Sequence, residues 1–234
     1  MDVTEIMAEL QAMGSENIKK ILLKHGVKEP FFGVKVEHLK AIQKRVKKDY
    51  QLANDLFATG NANAMYLAGL VADDEKMTKA DLQTWVSGAV SPNISEYTVP
   101  WVAAEGKYGF ELALQWIDDA REYAAAAGWS ALSNLVALKP DDELDIYALK
   151  ALLTRVEQTI HSSPNRVRVT MNGFIIAVGT YVAPLADTAI TTANKIGPVT
   201  IDHNGTACKT PLATEYIAKA KSKGPVAKKK TVKC

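Results

Sequence analysis

At 234 residues, 47% hydrophobic and 23% charged, the chain has the composition of a globular protein with room for a large core. No apolar run approaches the roughly 18 residues of a membrane span, and the opening MDVTEIMAEL lacks the basic-then-apolar order of a signal peptide, so no membrane role is expected. The net charge of +2 hides an asymmetry: seven lysines and no acid lie in 219–234, and setting them aside leaves residues 1–218 at −5.

Helices are predicted over 2–13 and 16–25, the second closed by Gly26. KEPFFG at 28–33 is a turn with two aromatics expected at the surface. Val36, Leu39, Ile42 and Val46 then recur at helical spacing, with lysines opposite. Short helices follow over 50–58 and 61–72, and Thr78 caps another over 79–89. Ser91-Pro92-Asn93 breaks the chain, and 94–104 resumes as a helix that Pro100 should kink. Helices over 110–123, 124–137, from an Asp141 cap to about 160, and 184–196 continue the series. The one strand-like run is 198–202. Helix after helix with short turns, none able to bury its face alone, predicts an all-α fold, an α-solenoid of antiparallel pairs. A helical bundle is the competing architecture.

The series centres on residues 165–182, NRVRVTMNGFIIAVGTYV, with Asn165 expected as its cap. This helix is apolar nearly all round, as core helices are, yet Arg168, Asn172 and Gly179 run along one side. A guanidinium and a carboxamide in such a place need buried partners or an open groove, and both readings stand.

The segment 196–216 is irregular and polar, with Asp202, His203, Asn204, Thr206, Cys208 and Lys209 close together. Acid–base work by His203 or Cys208 is one reading. The other is a structural clamp in which Thr210 caps a helix starting at Pro211, while His161 serves a helix end. Two cysteines, Cys208 and Cys234, make no disulfide framework or metal spacing, so the default expectation is a reduced, cytoplasmic location with no metal and no cofactor. No phosphate loop, nucleophile elbow or HExxH is present. The basic tail, Lys228, Lys229 and Lys230 above all, suits a polyanion. Its boundaries divide the chain into a repeat domain, 1–218, and a tail, 219–234.

The order FFGVKVEHLKAIQKRVKKD, SPNISEYTVPWVAAE, RVRVTMNGFIIAVGTYV, IDHNGTACKTP and KKKTVKC resembles the AlkD-like DNA alkylation-repair family, the HEAT-like repeat DNA glycosylases. The resemblance implies a right-handed superhelix whose concave, positive face holds duplex DNA, alkylated where the family's glycosylases act, with a monomer as the expected state. In that family an aspartate supports positive charge developing on the sugar, and a Trp-x-x-x-Asp pair carries it. The matching helix here lacks that pair. Glu96 is left as the candidate catalytic carboxylate, with Tyr97, Trp101, Arg168 and Asn172 as candidate ligand contacts. Phe174 stands where a lesion-contacting tryptophan is expected. The function read from this is DNA binding with excision of alkylated purines. The alternatives are a non-catalytic repeat module for nucleic acid or a protein partner, and an unrelated enzyme using the 202–208 loop.

Overall fold

The computed structural model describes residues 1–222 and 224–233; Lys223 and Cys234, read above as part of the basic tail and as one of the two cysteines, lie outside the described residues. Thirteen α-helices and no strand occur among the described residues, so the strand-like run at 198–202 is irregular chain. In order they are α1 (Val3–Ala12), α2 (Glu16–Lys24), α3 (Val36–Val46), α4 (Tyr50–Ala58), α5 (Ala62–Val71), α6 (Lys79–Gly88), α7 (Val99–Glu105), α8 (Gly109–Trp116), α9 (Glu122–Leu138), α10 (Ile146–Thr159), α11 (Asn165–Tyr181), α12 (Ala186–Ile196) and α13 (Ala213–Lys221).

Local chemistry sets these boundaries. Asp2 and Thr78 each close a reciprocal capping box, and Asp49 and Asn61 cap α4 and α5 with their side chains. Two starts and one end differ from expectation. Asp145, not Asp141, caps α10 by accepting from Ala148 N–H, while Asp141 accepts from Ala183 N–H. Pro164 occupies the cap position of α11, and Asn165 is its first helical residue. The predicted helix 110–123 ends at Trp116, and Asp119 holds the turn before α9 by accepting from the backbone and guanidinium of Arg121.

Helices α5, α7, α9 and α11 form an inner row, backed in turn by α4, α6, α8 and α12, with α10 packed on α12. One continuous apolar cluster runs through the stack from Ile6 to Ile217 and includes Trp85, Trp101, Trp116 and Trp129. Phe31, expected at the surface, is buried in a small satellite cluster with Val27 and Ala62. The central pair is α9 against α11, joined by a tilted Trp129–Phe174 contact at 5.3 Å. Small residues let the backbones approach. A methyl at Gly128 would meet Ala113 O at 2.8 Å, and one at Gly179 would meet the Ile217 side chain at 2.5 Å. Alanines at 124–127, buried like Gly128, keep α9 slim nearly all round in its first turns.

Candidate nucleic-acid interface

The inner row lines an open groove. At its head, residues Ile94–Thr98 form a π turn in place of the α-helix expected there, with Val99 N–H bonded to Ile94 O. Pro100 supplies the physical reason: it has no N–H for the carbonyl four residues back, so a wider turn costs little here. Glu96 and Tyr97, on that turn, line the groove together with Asn134 of α9 in two adjoining compartments. One, of about 330 Å³, is walled by Tyr66 and Trp101. The other, of about 190 Å³, is floored by Ser130, Thr170 and Gly173. Trp101 is buried, with edge-on rings on both sides, Tyr66 at 5.2 Å and Tyr97 at 5.8 Å. Tyr97 remains 50% exposed, which leaves part of its ring available for stacking.

The carboxylate at the groove is not free. Arg166 of α11 grips Glu96 with both arms, Nε to Oε1 at 2.6 Å and Nη2 to Oε2 at 2.7 Å. The Arg166 N–H also donates to Glu122 Oε1 at 2.6 Å, which ties α9 to the start of α11. Burial pushes the Glu96 carboxyl above its usual range, and it stays raised although the Arg166 hydrogen bonds and charge oppose the shift. Burial likewise works against the Arg166 cation, but Glu96 holds its pKa above the ordinary value. Two short charge-assisted bonds of fork-on-fork geometry keep the pair ionic, a carboxylate already neutralised by a guanidinium. A carboxylate that stabilises a cationic sugar must bring uncompensated negative charge to it. Glu96 in this geometry does not.

The seam expected to meet ligand meets the chain's own loop instead. Arg168 Nε donates to Ser163 O at 2.6 Å and its Nη1 to Thr200 O at 3.0 Å. Asn172, buried, donates to Pro211 O at 2.9 Å. Asn165 exchanges two bonds with the Asp202 backbone. Three side chains along one stripe of α11 thus clamp the segment between α12 and α13 at 200, 202 and 211, and of the two readings left open for Arg168 and Asn172 the bonds present are those of partners within the chain.

The clamped loop folds back on itself at Asn204 and Gly205, which have φ of 52° and 70°, with Thr206 N–H donating to His203 O at 3.0 Å. That is the signature of a two-residue turn of the I′ kind, and Asn-Gly is its preferred sequence. His203 Nε2 meets Thr210 Oγ1 at 3.1 Å, and Cys208 is exposed. Thr210 therefore does not cap α13, which starts from Leu212 with no side-chain cap. His161 serves not the helix end on which it sits but that of another helix, through Nε2 to Ile196 O of α12 at 2.9 Å.

A cation reaches the groove through Lys229, which lines the larger compartment and whose ammonium lies 5.9 Å over the ring of Tyr181. Lys230 is exposed, whereas Lys228 is held by Asp141 Oδ1 at 2.8 Å and Val136 O at 2.9 Å, so Lys228 is corrected from a ligand contact to an anchor. Phe174 is fully buried and lines no groove surface, which removes it from any lesion-contacting position. The residue that sequence reasoning missed is Arg166. Its signal was a second stripe, Arg166, Thr170 and Gly173 at i, i+4 and i+7, one position removed from the polar seam.

Paired helices stacked so that an inner row lines a groove define a HEAT-like repeat protein of the DNA-glycosylase type. The family model described as "DNA alkylation repair enzyme" matches residues 6–217, and the chain belongs to that family. It is similar to two uncharacterized Listeria proteins. It is 32% identical over 225 residues to one of L. innocua and 31% identical over 225 residues to one of L. monocytogenes. Each match covers 94% of this chain and 97% of the relative. Among solved structures it resembles, over 100% of both chains with a TM-score of 0.91 and 34% identity, a protein described as one of "a new family of proteins related to the HEAT-like repeat DNA glycosylases with affinity for branched DNA structures".

Proposed function

We propose that this protein binds branched DNA along the groove of its inner helix row and does not excise bases. The observation that carries the reading is the Glu96–Arg166 pair. Among the described residues, Glu96 is the one carboxylate that lines the two compartments, and both its oxygens are engaged by one guanidinium, at 2.6 and 2.7 Å. What the groove does offer is a half-exposed tyrosine ring, the hydroxyls of Ser130 and Ser133, the amide of Asn134, and the ammonium of Lys229. Such a mixture suits nucleotides released from a continuous stack: rings supply stacking, and lysines take the flanking phosphates. A junction presents such nucleotides at its branch point, and a perfect duplex does not. The structural relative's described affinity for branched DNA points the same way.

The test combines binding and chemistry on the same protein. Affinity for a four-way junction and for a duplex of equal length is measured at two salt concentrations, alongside release of methylated purines from duplex DNA. Tighter junction binding with no base release is expected. Base release above the protein-free control, abolished by Glu96→Gln, would replace this reading with a glycosylase in which Arg166 leaves Glu96 during catalysis.

A further inference from the structure

Residues 224–233 carry a disproportionate share of the basic charge, yet they are pinned along their length. The segment touches the C-terminal ends of α11, α9, α7 and α5 in turn, which places those ends along one edge of the groove. Val226 lies beside Tyr181 at the end of α11. At the end of α9, Lys229 N–H donates to Ala137 O at 2.8 Å, and the Lys228 ammonium sits on Val136 O and Asp141. Glu105, the last residue of α7, accepts from Val232 N–H at 2.8 Å and from the Thr231 hydroxyl. Beyond the end of α5, Lys233 Nζ reaches Ala72 O at 3.2 Å and Asp74 Oδ1 at 2.6 Å. Asp74 is 1% exposed, and the Lys233 side chain 9%. Two lysines therefore sit where the helix dipoles and three acids make the edge negative.

Lys229 and Lys230 lie between these pins, and both are exposed. Lys229 also lines the compartment that holds Glu96, Tyr97 and Trp101. We propose that residues 224–233 form a pinned rim of the DNA groove, in which Lys228 and Lys233 are anchors and Lys229 and Lys230 are the phosphate-contacting pair. Holding the lysines in place before DNA arrives removes the ordering cost that a loose basic tail meets on binding. It also gives the groove a cationic wall that its acidic helix ends would otherwise deny it. This inference rests on the DNA-binding reading.

The experiment measures junction-DNA affinity at several salt concentrations for four proteins: the full chain, Lys229→Ala/Lys230→Ala, Lys233→Ala and Glu105→Ala. Limited proteolysis reports release of the segment, and thermal melting reports folding. The lysine pair variant should lose on the order of tens of fold in affinity near 0.1 M salt and show a salt slope shallower by about 1.8, the value for two phosphate contacts. Lys233→Ala and Glu105→Ala keep both phosphate-contacting lysines but free the segment to the protease. Each should bind several-fold more weakly, with the slope changed by less than one contact. Glu105→Ala leaves the buried Asp74–Lys233 pair intact, so it serves if Lys233→Ala fails to fold. Tighter binding by the released variants would make the segment a plug and overturn the proposal, as would unchanged affinity with the segment demonstrably loose. A full chain that binds no DNA would instead refute the proposed function itself.

Discussion

Gly173 gives the cleanest way to separate the groove from the core. It sits near the middle of α11, on the floor of the smaller compartment, and a Cβ built there has no heavy atom within 4 Å. Gly173→Ala therefore adds a methyl that strains nothing and removes the backbone entropy penalty of an interior helical glycine, stabilising the fold by about 0.8–1 kcal/mol. For a chain of this size that is a rise in melting temperature of roughly 2–4 °C. A larger side chain at the same position projects into a space of about 190 Å³ that is otherwise open to ligand. Gly173→Phe should accordingly melt close to the parent and lose at least about tenfold in junction affinity, the equivalent of 1.4 kcal/mol. Melting curves and fluorescence anisotropy on the three proteins decide the matter. If Gly173→Phe is folded and binds junction DNA as the parent does, the groove is not the interface.

Other expectations follow from single contacts. Glu96→Ala leaves the Arg166 guanidinium buried without its partner and should cost about 3–5 kcal/mol in urea unfolding. Replacing both residues by methionine should recover much of that loss, and a cost below about 1 kcal/mol for the single change would show the pair to be loose. Arg168→Ala and Asn172→Ala each remove a clamp on the 197–212 loop. Proteolysis at Lys209 should accelerate in both, with destabilisation of about 1–3 kcal/mol for the orphaned carbonyls; an unchanged cleavage rate would mean that the clamps do not order the loop. Gly179→Ala drives a methyl to 2.5 Å from the Ile217 side chain and should destabilise by about 1–3 kcal/mol while α13 loses hydrogen-exchange protection first.

Most of the helices were legible because they are written in local chemistry. Thr78, the Gly26 stop and the apolar spacing of Val36, Leu39, Ile42 and Val46 act within a turn or two of themselves. The places where expectation and structure part company involve partners far away in sequence. Pro100 gave warning of irregularity in 94–104, but whether it would kink the helix or widen a turn depended on α5 and α9 packing against that segment. The Asn204-Gly205 pair was a legible turn signal that went unread within a loop noted only for its polar residues.

The sequence by itself determined that the chain is helical, that its helices must stack to bury their faces, and that α11 is central and carries polar stripes. It also placed Glu96, Tyr97 and Trp101 on one segment and carried the family resemblance. Only the tertiary structure decided which stripe of α11 meets what. Arg168 and Asn172 turn to the chain's own loop, while Arg166, Thr170 and Gly173 turn to the groove, where Arg166 takes the charge of Glu96. Likewise the basic residues at 228–233 read as a loose polycation until the ends of α5, α7 and α9, 92 to 161 positions earlier in the chain, gather into one negative edge and hold them. Periodicity fixes which side chains share a helix face, because that depends on rise and turn alone. It cannot say what lies opposite that face, because the partners are brought there by the stacking of the whole chain.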